Sequence, residues 1–270
     1  MSEQKSKIFM VIILGIVSVL LISAVSFTFP SRAFIPLDID FNVGEKLVYD
    51  TTKTTVYVSE ENSSQTYSIV DSTKEIIEVT DFNGESYTLN HTVLNLNQSI
   101  RTLYTEILSK NGTSTLHMNL GGDTVNGSGG SFEFVADALE LVTKKPQTRV
   151  ADSWRIPYDP SDEGVSGNLV ITFYGFENLT VPAGTYYVFK VDIKSDNIIV
   201  HYSDSSTGSE GNAVFDFDIQ IYFEYGSLRQ IKYNSQGSIT FDIPIESQSF
   251  LNRIPRASQM EMILTEDINH

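Results

Sequence analysis

Period-two alternation of apolar and polar side chains dominates this chain beyond residue 45. In Phe215–Phe223, the side chains of Phe215, Phe217, Ile219, Ile221 and Phe223 share one face, and Asp216, Asp218, Gln220 and Tyr222 share the other. Tyr187–Ile193 repeats the pattern with Tyr187, Phe189, Val191 and Ile193, and Ser238–Ile243 with Ile239, Phe241 and Ile243. A helix would scatter these residues around its circumference, whereas a strand aligns them. Further strands are predicted over Lys46–Val58, Thr66–Thr80, Ser86–Leu96, Arg101–Leu108, Ser114–Asn119, Leu169–Phe176 and Leu228–Asn234. Each strand leaves an apolar face to cover, so the sheet must curl on itself or pack against a second layer.

The breaks between these runs fit a meander. Asn83-Gly84 and Asn111-Gly112 supply the positive φ angles of hairpin turns. Gly226 and Gly237 are expected to bound the last strands, and Pro182-Ala183-Gly184 has the residue order of a type I turn. Asp204–Asn212 reads as a polar loop. One helix is expected over Phe132–Lys145, with an apolar stripe of Phe134, Ala138, Leu141 and Val142 and with Pro146 as its stop. The tail Arg253–His270 is open between strand, short helix and frayed end. The expected fold class is therefore mainly β: a curved antiparallel sheet, half-barrel or sandwich-like, with about one covering helix.

The N-terminus sets the compartment. Lys5 and Lys7 precede an uncharged run, Ile8–Phe29. As a helix it is about 33 Å long, close to the hydrocarbon thickness of a bilayer. The two lysines keep residues 1–7 cytoplasmic, with 8–29 as a transmembrane anchor and 30–270 as an extracytoplasmic domain. Ala24-Val25-Ser26 offers small residues at cleavage-site positions, so a signal peptide is the competing reading. Either way the bulk of the chain is exported. The whole chain carries −16; residues 1–30 contribute +2 − 1 = +1, which leaves −17 on the remainder. Such a surface repels nucleic acid and anionic lipid, so no nucleic-acid partner is expected. With no Cys there is no disulfide framework, no Cys-ligated metal and no lipoprotein acylation site, and core burial alone must hold the fold.

The search for reactive motifs returns little. His91, His117, His201 and His270 are too far apart in sequence for a zinc-binding HExxH helix, and each reads as a strand or terminal polar residue. There is no GxSxG elbow and no GxxxxGK[ST] loop. Gly127-Ser128-Gly129-Gly130 lacks the lysine of a phosphate cradle and reads as a hairpin or linker. Asp216 and Asp218 alternate on a solvent face, and Asp159, Asp162 and Glu163 lack EF-hand spacing. No catalytic residue, cofactor or metal ligand is expected. Asn62, Asn90, Asn97, Asn111, Asn126 and Asn178 each begin an N-x-[ST] sequon, so they are the candidate glycosylation sites of an exported chain; a plain Ser/Thr/Asn-rich β surface is the alternative.

Three short segments then come in order: Gly44-Glu45-Lys46-Leu47-Val48-Tyr49, Ala151-Asp152-Ser153-Trp154-Arg155-Ile156, and Leu179-Thr180-Val181-Pro182-Ala183-Gly184-Thr185-Tyr186. A strand through Tyr225-Gly226-Ser227-Leu228-Arg229-Gln230-Ile231-Lys232 follows. This order resembles uncharacterised exported β-rich domains related to periplasmic lipoprotein carriers. The resemblance implies a curved antiparallel half-barrel whose concave face holds acyl chains. It carries no catalytic residue, and a retained anchor departs from the soluble carriers.

The expected function is a membrane-anchored, non-enzymatic β domain of the cell envelope. Its partners are the membrane, through the N-terminal helix, and an apolar ligand such as lipid or an envelope protein. Tyr187, Phe189, Phe215, Phe217, Phe223 and Phe241 are the candidate apolar face, with core packing as the bland alternative. A structural or surface-interaction module is the second reading, and a hydrolase built on carboxylates such as Asp216 and Asp218 is the third.

Overall fold

The computed structural model describes residues 39–58, 65–110, 114–120, 123–128, 153–157, 165–204, 209–242 and 255–268. The leader 8–29, the helix expected over Phe132–Lys145, the Asn111-Gly112 turn and the acidic loop Asp159–Glu163 lie outside the described residues. Within them run twelve strands: β1 (Lys46–Val58), β2 (Thr66–Phe82), β3 (Ser86–Asn95), β4 (Ile100–Ser109), β5 (Ser114–Leu120), β6 (Asp123–Ser128), β7 (Ser153–Pro157), β8 (Val165–Val181), β9 (Gly184–Asp204), β10 (Ser209–Glu224), β11 (Gln230–Phe241) and β12 (Ala257–Ile268).

All twelve join one antiparallel sheet in the order β6-β5-β4-β3-β2-β1-β12-β11-β10-β9-β8-β7. Every neighbour in that order is also a neighbour in sequence except one pair, β1 and β12. Two meanders, β1–β6 and β7–β12, are thus zipped together by β1 and β12, and among the described residues β6 and β7 form the two edges of the sheet. The mainly β, antiparallel expectation holds.

Several local expectations need correction. Leu228–Asn234 and Ser238–Ile243 are not two strands; Gln230–Phe241 is one, and Gly237 lies inside it opposite Phe217. A Cβ on Gly237 would stand 3.4 Å from the Phe217 Cβ and 3.3 Å from the Asp216 carbonyl oxygen, so the glycine makes room for a neighbouring strand rather than ending its own. Of the two readings for Gly127 and Ser128 the hairpin holds, since both lie on β6 paired with β5. The loop expected at Asp204–Asn212 is shorter, because β9 runs to Asp204 and β10 starts at Ser209. The undecided tail supplies β12, with Met260, Met262 and Leu264 on one face.

The inner face of the sheet follows from the register. Leu47 and Tyr49 on β1 stand beside Ile77 and Glu75 on β2, and Ile77 beside His91 on β3. On the other arm Ile171, Ile193 and Ile219 lie in one row, and Phe173, Val191, Ile221 and Tyr233 in the next. These rows form a single apolar core in which Val79, Leu108, Val191, Ile193, Phe223, Ile231 and Leu264 are fully shut from solvent.

The sheet curls sharply at one end. In a flat sheet, five strand spacings between β4 and β11 amount to about 24 Å. Here two consecutive residues bridge that gap. Ile39 N–H donates to the carbonyl of Lys110, just after β4, at 3.2 Å, and Asp40 N–H donates to Ser227, just before β11, at 3.4 Å. The two carbonyl oxygens therefore lie no more than about 10 Å apart. Register shifts along β1–β12, β2–β3, β3–β4, β8–β9, β9–β10 and β10–β11 supply the local twist that this curl needs. Residues 39–45 thus form a strap across the end of the inner face. The Tyr87 hydroxyl donates to Ile39 O at 3.2 Å, Gly44 N–H donates to Val79 O at 2.8 Å, and the Phe41 ring stands edge-on to Tyr87 at 5.5 Å.

Candidate functional site

A polar island interrupts the apolar inner face. His91 on β3 stands opposite Ile77 on β2 and Tyr104 on β4. Glu75 precedes Ile77 by two residues and Glu106 follows Tyr104 by two, so strand parity puts both carboxylates on the side of His91. The side chains meet as that parity requires. His91 Nδ1 lies 2.8 Å from Glu75 Oε1, and Nε2 lies 3.0 Å from Glu106 Oε2. The Tyr104 hydroxyl donates to the same Glu75 oxygen at 2.8 Å, and its ring stacks on the imidazole at 4.2 Å.

Burial decides the chemistry of this island. Taking His91 out of water alone would lower its pKa, but the hydrogen bonds that it donates to Glu106 and Glu75 outweigh that and hold it up at about 9. Burial pushes the Glu75 carboxyl up, yet His91 and the Tyr104 hydroxyl win and keep it below its ordinary range. Burial, then the Glu75 charge, raises the Tyr104 phenol well above its usual value. His91 is therefore held as an imidazolium beside the Glu75 carboxylate, with Glu106 on its other nitrogen. Among the described residues, Glu106 Oε1 is buried with no hydrogen-bond partner. One acceptor on this face is thus left for a donor.

The same geometry limits what the island can do. Both imidazole nitrogens are engaged, so neither has a lone pair for a metal. Among the described residues no group of three or more His, Asp or Glu side chains is arranged to hold a metal ion. Among the described residues, the side chains hydrogen-bonded to His91 or stacked on it are Glu75, Glu106 and Tyr104, whose phenol proton is held tightly; none of these is an activated nucleophile of the Ser–His or Cys–His kind.

A second buried cluster closes the strapped end. Arg229, next to the β10–β11 turn, places Nε 2.8 Å from Glu45 Oε1 and donates from a terminal nitrogen to Glu45 Oε2 at 3.1 Å. Its other terminal nitrogen lies 3.3 Å from Glu224 and 3.8 Å from Asp267. Glu45 also accepts from the Asn42 N–H at 2.9 Å, which shapes the turn entering β1. The Tyr186 hydroxyl, from the β8–β9 hairpin, reaches Asp267 on β12 at 3.4 Å, across three strand spacings. Burial and then the Asp267 charge push the Tyr186 phenol up to about 12. The inner face is thus sealed at this end by the strap, the hairpin tip and the arginine.

At the other end the inner face is less covered. Tyr57 and Tyr67 pair across β1 and β2 with stacked rings at 5.4 Å, and Ile69 pairs with Thr55. Tyr67 is 48% exposed and Ile69 51%. Across the sheet, Phe215, Phe217 and Met260 are partly buried.

No protein-family model and no curated protein matches this chain. Among solved structures it is similar to a protein assigned as exported, with a YmcC-like fold, from Bacteroides fragilis: 11% identity, TM-score 0.34, over 87% of this chain and 99% of that one. It is also similar to a protein assigned as a lipoprotein from Parabacteroides distasonis, at 11% identity and TM-score 0.35 over 88% of this chain and 100% of that one. A DUF1329 family protein from Desulfovibrio piger matches at 9% identity and TM-score 0.26, over 85% of this chain and 88% of that one. Superposition this loose transfers neither a site nor a ligand.

The six candidate aromatics do not share one environment. Phe189 and Phe223 are core, with ring centres 5.4 Å apart. Phe215, Phe217 and Phe241 are partly buried, and Tyr187 is half exposed. Pro182 and Ala183 form the two-residue turn between β8 and β9, with Gly184 opposite Val181. Asn90, Asn97 and Asn178 are exposed, Asn126 lies on β6, and Asn62 and Asn111 are outside the described residues. Asp216 is exposed and accepts from Ser195 Oγ at 3.1 Å, while Asp218 pairs with Lys194 at 3.0 Å, so both serve the polar outer face. The His91 island was not anticipated. Its sequence signal is a polar residue at apolar parity in three successive strands, at Glu75, His91 and Glu106.

Proposed function

We propose that this chain is an exported, membrane-anchored and non-enzymatic β domain of the cell envelope, whose curled sheet takes an amphipathic ligand on its inner face. One observation carries the reading. The inner face is sealed at the strap end, keeps apolar side chains such as Tyr67 and Ile69 half exposed at the other, and holds between them a buried polar island with an acceptor that none of the described residues satisfies. Apolar walls with a few placed polar groups are the usual composition of a small-molecule site. An acyl chain fits the walls, and a hydroxyl or ammonium group fits the free oxygen of Glu106. The leader run Ile8–Phe29 supports delivery of the domain across a bilayer.

Lipid extraction and mass spectrometry of the protein purified from its own membranes test this reading, together with titration of a fluorescent fatty acid. The expected result is saturable uptake, weakened by Ile69→Asp and by Glu106→Gln. Absence of any bound or exchangeable amphiphile rejects ligand binding and leaves a purely structural envelope module, to which the full burial of Phe189 and Phe223 is equally suited.

A further inference from the structure

Three half-exposed aromatic side chains stand together at the strapped end. Phe176, Tyr187 and Tyr225 are 50%, 51% and 58% exposed. Their rings touch one another: Phe176 stacks on Tyr187 at 5.7 Å, and Tyr225 meets Phe176 edge-on at 5.4 Å and Tyr187 at 6.0 Å. Single exposed apolar residues are ordinary, whereas a contiguous aromatic patch marks a contact surface. Val43 on the strap, 60% exposed, adds a fourth apolar side chain at this end.

The place of the patch says what it meets. Tyr225 N–H donates to Tyr187 O, and two residues on, Ser227 O accepts from the N–H of Asp40. The patch therefore sits beside the point where the chain enters the domain. The apolar run Ile8–Phe29 is separated from Ile39 by the nine residues 30–38. Nine residues reach at most about 32 Å even when fully extended. The strapped end is thus tethered close to whatever bilayer the run occupies, and the far end of the sheet is a strand length farther away. Tyr, with an apolar ring and a polar hydroxyl, suits the headgroup layer of a membrane.

We propose that the rim formed by Phe176, Tyr187, Tyr225 and Val43 docks onto the membrane that holds the anchor, so that the domain rests on the bilayer by its strapped end. The proposal rests on the anchoring part of the function above. The acidic surface repels anionic headgroups, so docking depends on burial of the aromatic rings and is strongest on zwitterionic lipid. Asn178 pairs with Tyr187, and a glycan there would stand on the patch; docking therefore implies that Asn178 is unmodified.

The chain has no Cys, which permits single labels in the full-length protein. Thr185→Cys beside the patch and Leu96→Cys in the exposed β3–β4 turn would each carry an environment-sensitive fluorophore after reconstitution into phosphatidylcholine vesicles. Nitroxide-bearing phosphatidylcholine is expected to quench the label at 185 several-fold more than the label at 96. Replacing Phe176, Tyr187 and Tyr225 together by Ser should bring the two to the same level, while the chain still floats with vesicles after alkaline carbonate. Equal quenching in the unmutated patch overturns the docking, as does shielding of the 185 label by a soluble oligosaccharide or envelope protein in place of lipid. Loss of carbonate-resistant flotation overturns the anchoring, and the docking with it.

Discussion

Arg229 and Glu45 lie 184 residues apart in sequence, yet their side chains meet with Nε 2.8 Å from Oε1, both closed off from solvent. The pair pins the strap to the β10–β11 turn and so holds the curl at that end of the sheet. Removing one member of a buried pair leaves the other charge stranded, which costs about 3–5 kcal/mol. Arg229→Met should therefore cost about that much in urea unfolding, and Glu45→Gln should also destabilise. The Arg229→Met/Glu45→Gln double variant should cost less than the sum of the two. Strict additivity in this cycle would mean that the contact does not fasten the strap.

The His91 island makes stability depend on pH in a definite direction. Its folded pKa of about 9 lies above the unperturbed 6.5, so the folded state binds the proton more tightly than the unfolded chain does. The contribution is complete below about 6.5 and is lost as pH rises through about 9. Glu75, with its pKa lowered, works in the opposite sense: its contribution is present above its unfolded value and fades as pH falls through the folded one. Urea midpoints measured from pH 6 to 10 should fall along the alkaline limb. His91→Gln should start from lower stability at pH 6 and flatten that limb; a limb unchanged in this variant would mean that the island does not set it.

The candidate aromatics should separate by burial. Phe223 is completely buried, so Phe223→Ala should cost about 3–5 kcal/mol. Tyr187→Ala, at a half-exposed position, should cost about 1 kcal/mol or less in detergent-free unfolding of the same protein. Similar losses at both positions would show that the patch is part of the core.

Gly167 and Gly226 both have positive φ, at 133° and 105°, but differ in surroundings. A Cβ on Gly167 would fall 2.5 Å from the Asn197 carbonyl oxygen and 2.7 Å from Ile198 Cα, at the irregularity between Ser166 and Asn168. Around Gly226 there is open space within 4 Å. Gly226→Ala should therefore cost only backbone strain, about 1 kcal/mol, and Gly167→Ala clearly more, because a neighbouring strand must move. Thermal unfolding of the two variants side by side decides it.

Much of the sheet was legible in the residues alone, because a half-buried strand writes its own alternation. β1 begins and ends where Lys46–Val58 placed it, and Asn83 turns the chain into β3 by accepting from the N–H groups of Glu85 and Ser86. Gly237 was misread because a strand-breaking glycine and a glycine that admits Phe217 look the same without the partner strand. β12 was left open because Met260-Glu261-Met262-Ile263-Leu264 sets apolar residues on both parities. That weakest pattern belongs to the strand that joins the two arms, paired on both edges with β1 and β11, where those neighbours rather than alternation decide the conformation.

Local order of side chains along the backbone, then, already dictated an antiparallel β architecture, an acidic surface without covalent crosslinks and an apolar leader, since each depends only on residues near in sequence. Register across strands was decided by the tertiary structure. It brought Glu75, His91 and Glu106 into one hydrogen-bonded island, joined Glu45 to Arg229, and left Phe176, Tyr187 and Tyr225 together at the rim. Pairings of that kind depend on which strands adjoin and on how far the sheet curls, and those follow from burying the whole apolar face at once.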